Sequence, residues 1–238
     1  MLGLTSQSIT WPRGCDKGRV RLGHYAAVLI AALALGAAAP DQGQIIGNGR
    51  VVSEERAIAP ASAINIDGAF EVAIIAGQTP RLILEGDENI LAIVETPVRQ
   101  DRLETFANRS YSANRMIKVT VSLPQLANLA ASGSNRIEAT KLTGSAFSVS
   151  LEGANSATLA GRVGTLTCRA NGSNRVSAQE LVADAVNISI AGAGDAHVDA
   201  RQRIIAEIAG AGSIAVFGNP RDRQSRVNGS GRITFAHE

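Results

Sequence analysis

"ASGSNRIEA" spans Ala131–Ala139, and "ANGSNRVSA" repeats it almost letter for letter at Ala170–Ala178, 39 residues further on. A phrase restated at a fixed distance marks a repeating structural unit. Aligning on the central glycine brings in four more segments: "EGANSA" at Gly153, "AGAGDA" at Gly192, "AGAGSI" at Gly210 and "NGSGRI" at Gly229. Counted from Gly133 through Gly172, the successive steps are 20, 19, 20, 18 and 19 residues. The opening pair is therefore two periods apart, and the unit is about 19 residues long.

The sequence around each glycine alternates. Six, four and two residues before it stand Phe147, Val149 and Leu151; then Leu166, Cys168 and Ala170; then Val186, Ile188 and Ile190; then Ile204, Ala206 and Ile208. The intervening residues are mostly Ser, Thr, Asn, Glu and Arg, as in Ser148, Ser150, Thr167 and Arg169. A period of two is the signature of a half-buried strand. Four and six residues after the glycine the rule resumes, from Ile137 and Ala139 to Ile233 and Phe235, and all twelve such positions are apolar. Two residues after it stand Asn135, Asn155, Asn174, Gly194, Gly212 and Gly231. These residue types accept positive φ most readily, so each unit is expected to bend there, with the asparagines stacked in a hydrogen-bonded ladder.

Nineteen residues are too few for a leucine-rich or propeller repeat. They suit one coil of a β-solenoid, with about three short strands and three corners, each coil resting its inward residues on the next. Composition agrees: with aromatics at 3% and 24 glycines, the core must be assembled from small and branched side chains. Gly68, Gly133, Gly153, Gly172, Gly192, Gly210 and Gly229 are the candidate turn glycines. Regular coils are predicted over 126–238 and irregular first coils, or a small β layer at the blunt end, over 45–125. There "RLILEG", "LAIVET", "RLETFA" and "MIKVTVSLP" read as strands, and "GDENILAIVET" is the one stretch that includes a helical turn.

The N-terminus reads as an export leader over 1–39. Arg13, Lys17, Arg19 and Arg21 precede an uncharged run from Ala26 to Ala39, and small residues mark a cleavage site at Ala38 or Ala39. At 14 residues the run is shorter than the ~20 a spanning helix needs, so the processed chain, 40–238, is not expected to be an integral membrane protein. The leader holds four basic residues and one acidic one, so the rest of the chain carries 19 Lys+Arg against 20 Asp+Glu. Near neutrality with scattered arginines argues against nucleic acid. Cys15 leaves with the leader, and Cys168, alone, is expected to be a buried small hydrophobe.

The order "INIDGAFEVAII", "LILEGDENILAIVET", "VTVSLPQLANLAASGSNRI", the tandem glycine coils, then "VFGNP" and "VNGSGRI" resembles the bacterial putative auto-transporter adhesin family with the head GIN domain, over about residues 45 to 235. The resemblance implies a right-handed, single-stranded parallel β-helix in an exported or envelope protein with no established activity.

No nucleophile elbow, zinc signature or phosphate loop is present, and no cofactor is implied. The one local cluster is "GDAHVDA": strand alternation puts Asp195, His197 and Asp199 outward, where they are a candidate metal site against the plainer reading of a solvated outer face. Asp67, Glu71, Glu85, Asp87 and Glu88 supply dispersed carboxylates, a weak basis for a polysaccharide lyase or hydrolase. The expected function is non-catalytic adhesion or surface binding of glycan, envelope polymer or protein, in the periplasm, on the outer surface or released; the alternative is a structural envelope component. The last coil, around Gly229, exposes strand edges, so a cap from "FAHE" or homodimerisation through ends or faces is expected.

Overall fold

A computed structural model describes residues 43–236; residues 1–39, expected to be an export leader and containing Cys15, and also His237, lie outside the described residues. The glycine-marked segments each form one long strand wrapping a coil: Arg136–Gly153, Ser156–Gly172, Arg175–Gly192 and Asp195–Gly210. Rather than three separate strands per coil, each strand runs through the bends and ends beside the glycine, its ladder shifting register near a corner within the coil. Adjacent coils pair in parallel, so that Gly153, Gly172, Gly192, Gly210 and Gly229 face one another in a column. Asn128–Gly133 extends the column to Gly133, and Ala63–Gly68 extends it to Gly68. The fold is an all-β parallel solenoid.

Only glycine fits this column. Gly172 has φ +104°, and a Cβ there would run into the Gly153 carbonyl oxygen of the coil below. The left-handed backbone falls on these glycines and not two residues later, where the sequence pattern placed it. Asn135, Asn155 and Asn174 instead turn their side chains into the coil and are at most 3% exposed. Asn135 Nδ2 donates to Asn155 Oδ1 (2.9 Å) and Asn155 Nδ2 to Asn174 Oδ1 (3.0 Å). Each amide also caps corner backbone: the Asn135 and Asn155 N–H groups donate to the next Oδ1 at 3.0 and 2.9 Å, and the Phe70 N–H donates to Asn135 Oδ1 at 2.9 Å. Burial made the asparagines hydrogen-bond staples, a task that needs no unusual φ.

The inward columns form the core. Leu151, Ala170, Ile190 and Ile208 stack in one, and Val149, Cys168, Ile188 and Ala206 in the next, all buried. Only the last coil departs, where Ile233 and Phe235 are half-buried. Differences in coil length are absorbed at a corner: the register shifts between Ala139 and Leu142, where Lys141 takes φ +58°, and again between Ala178 and Val182.

At the N-terminal end the stacking order departs from chain order. Ala63–Gly68 and Phe70–Ala76 make a coil of the repeating kind. The chain then leaves through Arg81–Asp87 and a single helical turn, Glu88–Leu91, before returning as Arg102–Ala107 and Ile117–Leu123. The returning strands pair in parallel with the far edges of Ala63–Gly68 and Phe70–Ala76, so the later segment lies outside the earlier one. Antiparallel pieces then cover this end: Arg81–Asp87 on Ile117–Leu123, Val51–Arg56 on that, and Val94–Glu95 and Val98–Arg99 on Arg102–Ala107. Of "LAIVET", only Val94–Glu95 is strand.

The C-terminal end is covered from within at one point only. Asp222–Gly229 pairs with Asp195–Gly210 and is exposed along its whole length. Arg223, in register with Ile204, lays its guanidinium 4.7 Å from the centre of the Phe235 ring. It is fixed there by donating to the Pro220 carbonyl (2.8 Å) and Asn219 Oδ1 (2.6 Å). A cation over an aromatic ring thus lids the apolar column. No helix among the described residues is long and apolar enough to cross a membrane.

Candidate binding surface

In-register stacking converts outward residues into columns about 4.8 Å per step. Arg136, Ser156, Arg175, Asp195, Ser213 and Arg232 form one such column; Ser150, Arg169, Ser189, Glu207 and Arg226 form another. These are flat, polar faces with many shallow contacts.

The "GDAHVDA" segment lies on this surface, but its three side chains do not converge. Asp195 accepts a hydrogen bond from the Ser213 hydroxyl at 2.5 Å. His197 Nδ1 lies 2.7 Å from Gln179 Nε2, an amide donor, which leaves the proton of the neutral ring on Nε2; the ring meets Phe217 edge-on at 6.2 Å. Asp199 is not on the solvated face. Its coil is two residues shorter than the one before, so Asp199 is drawn into the corner opposite Val182, is 7% exposed and forms an ion pair with Arg201 at 2.9 Å. No group of three His, Cys, Asp or Glu among the described residues is placed to hold a metal ion. Nor do Ser213 and His197 form a nucleophile and base, since the hydroxyl serves Asp195 and the imidazole serves Gln179.

Cys168 is buried between Val149 and Ile188, and burial pushes its thiol up to about 12. It is packing, not chemistry. The N-terminal carboxylates stay apart: Asp67 accepts from the Ser132 hydroxyl (2.8 Å), Glu85 lies 4.0 Å from Lys118, and Glu88 pairs with Arg50 at 3.1 Å.

A feature missed by the sequence pattern is a hollow of about 920 Å³ beside the Gly68 corner, walled by the loop 107–116. The loop is clasped by an N-terminal segment: Ile45–Ile46 pairs in parallel with Tyr111–Ser112, and Gln44 Nε2 donates to the Tyr111 carbonyl at 3.0 Å. The Tyr111 ring is half-buried against the core, its hydroxyl reaches the Ala69 carbonyl at 3.4 Å, and burial raises the phenol above its ordinary range. Arg109 and Arg115 line the opening, exposed and without an ion pair among the described residues. The available sequence signal was "NRSYSANRM", a dense polar run around the only tyrosine among the described residues.

The family model described as "Putative auto-transporter adhesin, head GIN domain" matches residues 62–220. The chain belongs to that family. The head GIN match runs from the first repeating coil to the loop before Asp222, leaving the lidded last coil outside it. Among solved structures, a putative adhesin from Bacteroides fragilis aligns with TM-score 0.62 at 21% identity, covering 81% of this chain and all of that one. A putative lipid binding protein from Parabacteroides distasonis aligns at 0.54 and 20% identity, covering 82% and 100%. A putative adhesin from Parabacteroides merdae aligns at 0.52 and 18% identity, covering 82% and 99%. At these identities the likeness shows the shared fold. No curated protein matches the chain.

Proposed function

We propose that this protein is exported through residues 1–39 and acts at the cell envelope as a non-catalytic adhesive scaffold that binds an extended surface polymer, foremost a glycan. The observation that carries the reading is the register: each outward position is repeated coil after coil, so a polymer with its own repeat meets evenly spaced polar side chains many times. Affinity then arises from multiplicity rather than from one deep pocket. Membership of an adhesin family supports it. The polar residues that resemble a catalytic set are bound to one another in pairs unsuited to acid–base work.

A saccharide array probed with the full chain, together with fractionation of the producing cells, tests the proposal. Bound glycans and an envelope or extracellular fraction are the expected result. A silent array with co-purifying envelope proteins instead points to a structural component, and depolymerisation of an arrayed glycan overturns the non-catalytic reading. Self-association through the exposed Asp222–Gly229 edge is a second route to multivalency, and light scattering against protein concentration reads it directly.

A further inference from the structure

From the hollow beside Gly68 we infer that it is a subsite for a carboxylated saccharide, such as a uronate unit of an acidic polymer, an inference that rests on the adhesive reading. Three observations converge. First, the hollow is built rather than incidental. Its wall is a loop held by the Ile45–Ile46 pairing, with the Ile45 N–H donating to the Ser110 carbonyl (3.0 Å) and the Gly47 N–H to the Ser112 carbonyl (2.8 Å). Tyr111 is pinned between this clasp and the core, so little order is lost when a ligand enters.

Second, the lining combines one fixed aromatic with Ser110, Ser112 and Asn114, the mixture that recognises sugars and other amphipathic surfaces through a rigid ring and adaptable hydrogen bonds. A sugar offers an apolar face to the ring and hydroxyls to the surrounding groups. The remaining apolar members are three alanines, Ala69, Ala107 and Ala113, and one exposed methionine, Met116, too few to enclose an acyl chain. Third, the charge is specific. Asp67 accepts from the Ser132 hydroxyl and keeps its negative charge, but Arg109 and Arg115, which have no ion pair among the described residues, leave the lining with an excess of positive charge. Each exposed guanidinium in the lining presents the planar fork that a uronate carboxylate accepts bidentately.

The test is calorimetry on the full chain with oligogalacturonate, oligoglucuronate and oligomannuronate, each against its carboxyl-reduced counterpart. At least one uronate binds, its reduced form binds about tenfold or more weaker, and the affinity falls as salt rises. The double variant R109Q/R115Q, at two exposed positions, keeps the wild-type melting profile and loses about tenfold or more in uronate affinity, while R221Q, at an exposed arginine outside both the hollow and the coil-face columns, changes little. Equal binding of the reduced sugars, unchanged binding by R109Q/R115Q, or preference for a polyglutamate peptide or phosphatidylglycerol vesicles overturns the subsite. Saccharide binding lost only in R169Q, on the coil face, removes the subsite and leaves the adhesive reading standing. No binding to any saccharide or envelope polymer removes both.

Discussion

Replacing Asn155 by alanine removes the middle of the asparagine ladder while leaving the core columns untouched. Its side chain makes four hydrogen bonds: Oδ1 accepts from the Asn135 N–H (3.0 Å) and Asn135 Nδ2 (2.9 Å), and Nδ2 donates to the Glu152 carbonyl (2.8 Å) and Asn174 Oδ1 (3.0 Å). The losses are unequal. Asn135 Nδ2 keeps the Ser132 carbonyl and Asn174 Oδ1 keeps the Asn155 N–H, but the buried Asn135 N–H has no substitute acceptor. One orphaned buried donor costs about 1–3 kcal/mol, and the lost bond to Glu152 adds about 1 kcal/mol, so N155A should lose about 3 kcal/mol. For a chain of this size that lowers the melting temperature by roughly 6–12 °C. Urea unfolding with native-state hydrogen exchange is the assay, with S150A as an exposed control expected within about 0.5 kcal/mol of wild type. The exchange increase should centre on the Asn135 amide. The next coils carry Gly194 and Gly212 at this position, so a rival view holds that the corner needs no side chain. A loss below about 1 kcal/mol with unchanged exchange at Asn135 would refute the staple argument.

Gly172→Ala places a Cβ against the Gly153 carbonyl at φ +104° and should cost about 3–5 kcal/mol, whereas Gly77→Ala, at φ +78° in open space, should cost only about 1 kcal/mol; chemical denaturation separates them. For Cys168, the folded state raises the thiol from 9.0 to about 12, so its contribution is fully present below pH 9 and is lost as pH rises towards 12. The stability advantage of wild type over C168A should therefore shrink by about 2–3 kcal/mol between about pH 8 and pH 11, and a difference flat with pH would show an accessible thiol. Arg223→Ala unlids the Phe235 end, and hydrogen exchange should accelerate through 222–235 while the coils below Gly192 stay protected.

Much of this architecture is legible in local pattern. The alternation around Val149, Ile188 and Ile208 fixed which side chains face inward, because a one-residue slip would expose every one of them. The glycine spacing gave the coil. What escaped the sequence depends on contacts between distant segments. Nothing in "RLETFA" or "MIKVTVSLP" says that these strands pair with the far side of Ala63–Ala76 instead of continuing the stack. Asp199 alternates like an outward residue and is buried only because its coil is two residues short. The asparagines were rightly read as a ladder but misassigned as bends, since Asn accepts positive φ and also satisfies backbone, and only the packing decides which property is used. The hollow was invisible for a similar reason: Tyr111 is ordinary until Ile45–Ile46, some 65 residues earlier, clasps its loop.

The in-register stack underlies both the fold and the proposed binding face, and methyl-selective nuclear Overhauser spectroscopy on the full chain tests it most directly. Contacts should run Ala131 to Leu151, Leu151 to Ala170, Ala170 to Ile190 and Ile190 to Ile208, each to the adjacent rung and none skipping one. Cross-peaks joining Leu151 directly to Ile190, or contacts displaced by one or two residues along the coil, would contradict the register and with it the columns on which adhesion is argued.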